Sequence, residues 1–270
     1  MVQEEMIARV RELCRADERI TGAWMYGSFT RGEGDRYSDI EFLIYLEDAA
    51  QAVFNPIPWL EQVAPVGLYF TNEFGVGTAI FENLIRGEFH FDRASDMAKI
   101  RELRQASGFP AVEAMLISDR TGQLREHLAA ISGPGPERGC SEECAQLWHS
   151  YLNWMLFGSY VLARGERMRA LELLGFAQRY LLQMVRLVEN QVGHWWTPSK
   201  SAERELSAGS QRRYQDCTAS LRGSELEGAY RAAWAWGKEL AGELADRQSF
   251  DLHLDLLSKL DGRFEEVFTE

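Results

Sequence analysis

No apolar run in the sequence approaches the roughly 20 residues that a membrane-spanning helix needs. The first turns of the chain carry Glu4, Glu5, Arg9 and Arg11 among their apolar positions, so they lack the uninterrupted apolar core of a secretory signal. Cysteine is sparse: Cys14, Cys140, Cys144 and Cys217 are too dispersed for a disulfide framework, and reduced thiols in a cytoplasmic protein are expected. Cys140 and Cys144 have no second cysteine pair or histidine pair to complete a four-ligand structural zinc. Basic charge is also short, with 29 Lys and Arg against 41 Asp and Glu, a net charge of −12. That balance argues against a protein that coats nucleic acid, which needs cations to replace phosphate counterions. No fixed-period repeat and no low-complexity tail are visible.

What is there centres on Tyr26 to Tyr45. Gly27-Ser28 is followed after ten residues by Asp39-Ile40-Glu41, at the head of the apolar run Phe42-Leu43-Ile44-Tyr45-Leu46. The run is short and rich in β-branched and aromatic residues, which predicts a strand. Side chains two apart on a strand share a face, whereas on a helix they would stand about 200° apart. Asp39 and Glu41 therefore converge. Such a pair suits Mg²⁺, which takes oxygen ligands and is commonly held by one or two carboxylates plus substrate phosphate. Upstream, Ala23-Trp24-Met25-Tyr26 reads as the end of another strand. Gly27 allows close backbone approach to a ligand, and Ser28 is expected to cap a short helix and to offer its hydroxyl to phosphate.

This arrangement resembles the nucleotidyltransferase superfamily that includes polymerase β, whose signature is Gly-Ser, a spacer of this length, then Asp-x-Asp or Asp-x-Glu. It is more similar still to the lincosamide nucleotidyltransferases, in Met25 to Thr30, Gly32-Glu33-Gly34-Asp35 and Ser38-Asp39-Ile40-Glu41-Phe42. The likeness continues through Ala79 to Phe91 and, more weakly, into Leu171 to Leu174. It implies Asp39 and Glu41 as metal ligands, Gly27 and Ser28 at the nucleotide, and a third carboxylate or base in the Gly87-Glu88-Phe89-His90 segment. Alternation there puts Phe89 and Phe91 on one face and Glu88 and His90 on the other. Glu88 is accordingly the expected catalytic group, as general base, metal ligand or both. His90 is a candidate for orienting the acceptor sugar, and Arg31 for reaching the β- or γ-phosphate. Asp35 is expected at the surface, and Glu82 and Arg86 are expected to form an ion pair.

The fold expected is α+β. An N-terminal nucleotidyltransferase domain with a mixed β-sheet, residues 1–132, precedes a C-terminal α-helical bundle domain, residues 133–270. Met6, Ile7, Val10, Leu13 and Cys14 predict an amphipathic helix over 3–16. Strands are expected at 66–72 and 78–84, joined by Gly75-Val76-Gly77. A helix capped by Ser95 and a short strand over 114–117 follow. Across the Gly- and Pro-rich Ser132 to Gly139 the pattern changes from strands to long helices. Apolar offsets from Cys144 to Val161, from Leu171 to Val188 and from Tyr230 to Leu244 predict those helices. Between them Trp195 and Trp196 are candidates for an acceptor pocket, and Lys200 for contact with triphosphate.

Together these features point to an enzyme that transfers AMP from ATP, with Mg²⁺ and release of pyrophosphate, to a hydroxyl of a lincosamide such as lincomycin or clindamycin. An aminoglycoside nucleotidyltransferase is the alternative enzyme, since acidic charge suits a polycation. A non-catalytic binding partner with a nucleotidyltransferase fold is a third reading, opposed by intact Asp39, Glu41 and Glu88. The resemblance also implies a homodimer, with the nucleotide held between the two domains, while the acidic charge and the lack of a long apolar run lead us to expect no nucleic-acid or membrane partner.

Overall fold

The computed structural model describes residues 1–269. It separates into two compact units, Met1–Pro136 and Glu137–Glu270. The first is an α+β unit with a mixed sheet and the second is helical.

In the first unit, α1 (Val2–Ala16) buries Met6, Val10, Leu13 and Cys14 on one stripe, with Glu4 and Glu5 in its first turn and Arg15 in its last. Those charges complement the helix dipole. Next come β1 (Ile20–Tyr26), a short 3₁₀ turn (Ser28–Arg31) and β2 (Ile40–Leu46). Two short helices, α2 (Asp48–Gln51) and α3 (Pro56–Leu60), lead to β3 (Val66–Thr71), β4 (Gly77–Phe81) and β5 (Arg86–Arg93). The fixed φ of Pro56 starts α3, with Asn55 accepting from Ile57 N–H as cap. A tightly wound segment (Ala94–Gln105), α4 (Val112–Met115), β6 (Leu116–Asp119) and α5 (Gln123–Ile131) complete the unit.

Among the described residues one sheet runs in the order β3-β4-β5-β2-β1-β6. Only β2 and β5 pair in parallel within it; the other neighbours are antiparallel. The two faces carry different cores. Ile40, Phe42, Ile44, Phe89 and Met25 pack with α1 and α3 on one side. Trp24 and Tyr45 pack with Met97, Met115, Leu124 and Leu128 on the other. Glu41 and Glu88 alternate with the residues of the first core, so they stand on this second face, partly exposed.

Several local expectations change. Ser28 is the first residue of its turn, and Gly27 is the cap, with no side-chain cap bond. Ser95 likewise lies inside the Ala94–Gln105 segment, where its N–H is held by Asp48. The strand expected over 114–117 is a helical turn that passes into β6, because Met115 is drawn into the second core. The strand expected over 78–84 stops at Phe81, where a tight turn with Leu84 at φ +65° reverses the chain.

In the second unit α6 (Ser141–Ala163), α7 (Arg167–Val188) and α10 (Glu225–Gln248) are the long helices. The shorter α8 (Ala202–Glu205) and α9 (Ala208–Asp216), and the last helix α11 (Leu254–Thr269), pack around them. Trp148, Tyr151 and Tyr230 are fully buried in this core. Tyr230 donates to Ala170 O and Tyr151 to Ala233 O, so each ring carries its polar tip inside without loss. Gly158 lets the Tyr230 ring approach α6, since a Cβ there would collide with the phenol. No helix is long and apolar enough to cross a membrane, among the described residues.

Candidate active site

The sheet register sets a lateral row of side chains. Tyr26 of β1 pairs with Glu41 of β2, Glu41 with Glu88 of β5, and Glu88 with Thr78 of β4. Residues paired across adjacent strands share a face, so these groups line up on one surface of the sheet. Asp39, one residue before β2, joins them through Arg86, whose guanidinium bonds both Asp39 Oδ2 and Glu88 Oε1. The expected Glu82–Arg86 pair is not formed. Arg86 sits at the head of β5 beside the head of β2, so it meets Asp39 across the register and Glu88 two residues along its own strand.

The turn before these carboxylates is shaped by Gly27, whose φ of +80° and ψ of −156° lie in a region that only glycine occupies readily. A Cβ at Gly27 would fall on Glu41 Oε2. Thr30 Oγ1 donates to Gly27 O at 2.8 Å and closes the turn. Ser28 Oγ is buried and, with the indole nitrogens of Trp24 and Trp59, has no hydrogen-bond partner among the described residues. A buried hydroxyl left unpaired costs about 1–3 kcal/mol, and a bound phosphate oxygen would satisfy it. Arg31 is turned elsewhere, donating to Gly108 O at 2.9 Å.

The approach to Asp39 is a built loop. Asp35 Oδ1 accepts from Tyr37 N–H at 2.8 Å and from Ser38 Oγ at 3.0 Å. The Tyr37 and Ser38 donors hold the Asp35 carboxyl below its ordinary range. Asp35 is exposed as expected, yet it shapes the segment that presents Asp39. From α1, Gln3 is 3% exposed and donates to Arg36 O at 2.9 Å and Ser38 O at 3.3 Å. Gln3 gave no signal in the sequence beyond being a polar residue on the apolar stripe of α1.

Tyr26 also escaped the sequence reading. Its hydroxyl lies 3.3 Å from Glu88 Oε2 and 3.0 Å from His90 Nε2. With the phenol proton on Glu88, the phenol oxygen accepts from His90 Nε2–H. Burial, followed by the Glu41 and Glu88 charges, pushes the Tyr26 pKa well up, so Tyr26 stays a donor at any ordinary pH. His90 thus shares the Glu88 face and supports Glu88 through Tyr26.

Among the described residues, no three His, Cys, Asp or Glu side chains converge closely enough to enclose a metal by themselves. The groups present nevertheless suit a metal-bound nucleotide. The carboxylates of Asp39, Glu41 and Glu88 make an all-oxygen donor set, the chemistry a hard divalent cation takes. The bare Cα of Gly27 leaves Glu41 its place, and Ser28 Oγ is an orphaned donor beside it.

In the helical unit, the run from Gly193 to Lys200 is held by Arg186, which is completely buried. Its guanidinium donates to the carbonyls of Pro198, Gln191 and Lys200, each at 2.7 Å, and to Glu205 Oε2 at 2.8 Å. Trp195 is core, and Trp196 is 52% exposed, with the Arg138 guanidinium 5.3 and 5.5 Å from the two rings. Of the two candidate pocket residues, Trp196 is thus the one whose ring remains accessible. A cleft of about 390 Å³ opens beside this run, lined by Phe176, Leu182, Pro198, Tyr214, Glu172 and Arg179 among others. Phe176 at its edge stacks on Trp154, with centroids 4.6 Å apart.

Residues 7–94 match the family described as nucleotidyltransferase domain, and residues 140–263 match lincosamide nucleotidyltransferase-like, C-terminal domain. No curated protein matches the chain. Among solved structures, an aminoglycoside 6-adenyltransferase from Bacillus subtilis is similar at 14% identity and TM-score 0.46, covering 100% of this chain and 99% of that one. A nucleotidyltransferase-like protein from Exiguobacterium sibiricum is similar at 16% identity and TM-score 0.40, covering 88% of this chain and 75% of that one. Both are distant likenesses.

Proposed function

The chain belongs to the lincosamide nucleotidyltransferase-like family, and from that premise we propose that it transfers AMP from ATP to a hydroxyl of a lincosamide, with Mg²⁺ and release of pyrophosphate. Nucleotidyltransferases of this kind use a nucleoside triphosphate, a divalent metal and a small-molecule acceptor. The observation that carries the reading is the row of Glu41 and Glu88 across β2 and β5, with Asp39 beside it and the Gly27-Ser28 turn at its end.

In this reading Asp39 and Glu41 hold the metal, which when bound neutralises phosphate charge. Ser28 Oγ donates to a phosphate oxygen, and Gly27 lets the phosphates come near. Glu88 takes the proton of the acceptor hydroxyl as its oxygen bonds the α-phosphorus. The bond from that phosphorus to the bridging oxygen breaks, and pyrophosphate leaves with the electron pair. Tyr26, donating to Glu88 Oε2, fixes the carboxylate so that its other oxygen faces the acceptor. The acceptor is assigned to the helical unit, where the cleft beside Phe176 and Tyr214 is of a size that small molecules occupy. A homodimer is part of the same proposal.

The test is mass spectrometry of clindamycin and kanamycin after incubation with the protein, ATP and Mg²⁺. A gain of one AMP on clindamycin is expected. No nucleotide gain on either acceptor would remove the antibiotic assignment.

A further inference from the structure

Arg86 occupies the ground between two carboxylates that the proposed reaction needs. Its Nη1 bonds Asp39 Oδ2 and its Nη2 bonds Glu88 Oε1, while Glu88 Oε2 is held by Tyr26. The guanidinium is not locked in: its side chain is 42% exposed, against 33% for Asp39 and 19% for Glu88. Burial works against its charge, but the bonds to Glu88 and Asp39 outweigh that and raise the Arg86 pKa further. The turn before β5 aims it, with Asn83 Oδ1 accepting from Ile85 N–H at 3.1 Å. Beside it lies a cleft of about 380 Å³, with Arg36, Tyr37 and Leu84 among its lining residues. That cleft gives the guanidinium somewhere to withdraw.

Resting on the nucleotidyl-transfer reading, we propose that Arg86 is the resident counter-cation of the site, which a divalent metal must displace to bind. Two adjacent carboxylates repel each other, and a cation between them relieves that repulsion. Arg86 does this for Asp39 and Glu88 with a planar fork, and a metal on Asp39 and Glu41 would do it with coordination bonds, so the two compete for the Asp39 carboxylate they share. The consequence is that metal alone binds weakly. A metal arriving with triphosphate binds better, because the phosphates add ligands and give the released guanidinium a new anionic partner. Displacement also frees Glu88 Oε1, the oxygen that faces the acceptor. Arg86 is thus a positioning residue that keeps the site closed until substrate arrives.

The test is Mn²⁺ binding without nucleotide, followed by electron paramagnetic resonance in wild type, Arg86→Gln, Arg86→Lys, Asp39→Asn and Glu41→Gln. Removing the two charge-assisted bonds of a partly exposed guanidinium is expected to lower the Mn²⁺ Kd of Arg86→Gln about tenfold. Arg86→Lys should fall between it and wild type, since a point cation cannot span both carboxylates. Mn²⁺ should also raise the Tm of Arg86→Gln more than that of wild type, a readout independent of turnover. If Asp39→Asn and Glu41→Gln lose Mn²⁺ while Arg86→Gln binds it no better than wild type, the counter-cation role falls and the metal site stands. If Asp39→Asn and Glu41→Gln bind Mn²⁺ as wild type does, the metal assignment itself is wrong, and the competition inferred from it goes too.

Discussion

The Glu41 carboxylate occupies the place where a Cβ on Gly27 would be. The two residues are fourteen apart in sequence, yet the β1/β2 register, which pairs Tyr26 with Glu41, brings the turn back over the carboxylate. Gly27→Ala therefore meets two obstacles: a backbone at φ +80°, strained by about 1–3 kcal/mol for a residue with a side chain, and a carboxylate that must move. The expected result is a folded protein with a lower Tm and turnover reduced about 10²-fold, the scale on which an ångström of misplacement acts. Thermal unfolding and steady-state pyrophosphate release measure both. Wild-type turnover in Gly27→Ala would show that Glu41 need not hold its present position.

Glu88→Gln keeps the shape of the side chain but cannot take a proton. It should retain nucleotide binding with metal and lose acceptor adenylylation by about 10²- to 10⁴-fold, the usual contribution of a general base. Isothermal titration with a non-hydrolysable ATP analogue separates binding from transfer. A variant within a few-fold of wild type would move the base role away from Glu88, and His90, joined to it through Tyr26, would be the next group to test.

What the sequence made legible follows from local period. Alternation along Arg86–Arg93 set Glu88 and His90 opposite Phe89 and Phe91, and alternation along Ile40–Leu46 set Glu41 opposite Ile40 and Phe42. The long helices α6, α7 and α10 were equally visible, because apolar offsets repeat over many turns. What stayed hidden depends on which strand lies beside which. Tyr26 meets Glu88 only because β2 is flanked by both β1 and β5, and Arg86 takes Asp39 rather than Glu82 for the same reason. Short or irregular elements carried too little period to be found: α5 has Leu124, Leu128 and Ile131 on one stripe, but within only nine residues. Nor does any local period show how the loop that carries Trp195 and Trp196 is held. The deciding residue there is Arg186, a charge buried in α7 that binds the loop's carbonyls.

That buried charge sets a pH-dependent prediction. Burial of Glu205 opposes its ionisation, but the bonds to Arg186 and His194 outweigh it and hold the carboxyl below its ordinary range. A carboxyl depressed in the folded state stabilises the protein above its unfolded pKa of about 4.3, and that stability is lost as pH falls through the lower folded pKa. Glu205→Gln removes this contribution and leaves Arg186, fully buried, without its carboxylate. The expected cost is about 3 kcal/mol at pH 7, because removing one partner strands the other charge. Urea unfolding across pH 3 to 7 should show the difference between wild type and variant shrinking below about pH 4.3. A difference that stays constant with pH would mean that the carboxylate charge is not what Arg186 uses.

The acceptor prediction sets charge against shape. The net charge of −12 favours a polycationic aminoglycoside, but such steering is screened beyond a Debye length of about 8–10 Å and cannot select which hydroxyl reaches the α-phosphorus. Placement in the pocket selects it. A lincosamide joins an alkylated pyrrolidine amide to a thio-sugar, so it needs apolar and aromatic lining with a few polar contacts, whereas an aminoglycoside needs several carboxylates around its amines. The cleft of the helical unit offers Phe176, Leu182, Pro198 and Tyr214, with Glu172 as its single carboxylate and Arg179 as a cation in the same lining. Clindamycin should accordingly be adenylylated with far higher kcat/KM than kanamycin. Phe176→Ala, which removes the exposed ring stacked on Trp154, should raise the clindamycin KM about tenfold or more while kcat changes little, since apolar contacts act on ground state and transition state alike. Kanamycin modified with the higher efficiency would overturn the lincosamide assignment in favour of the aminoglycoside one. An unchanged KM in Phe176→Ala would keep the acceptor class but take the cleft away from it.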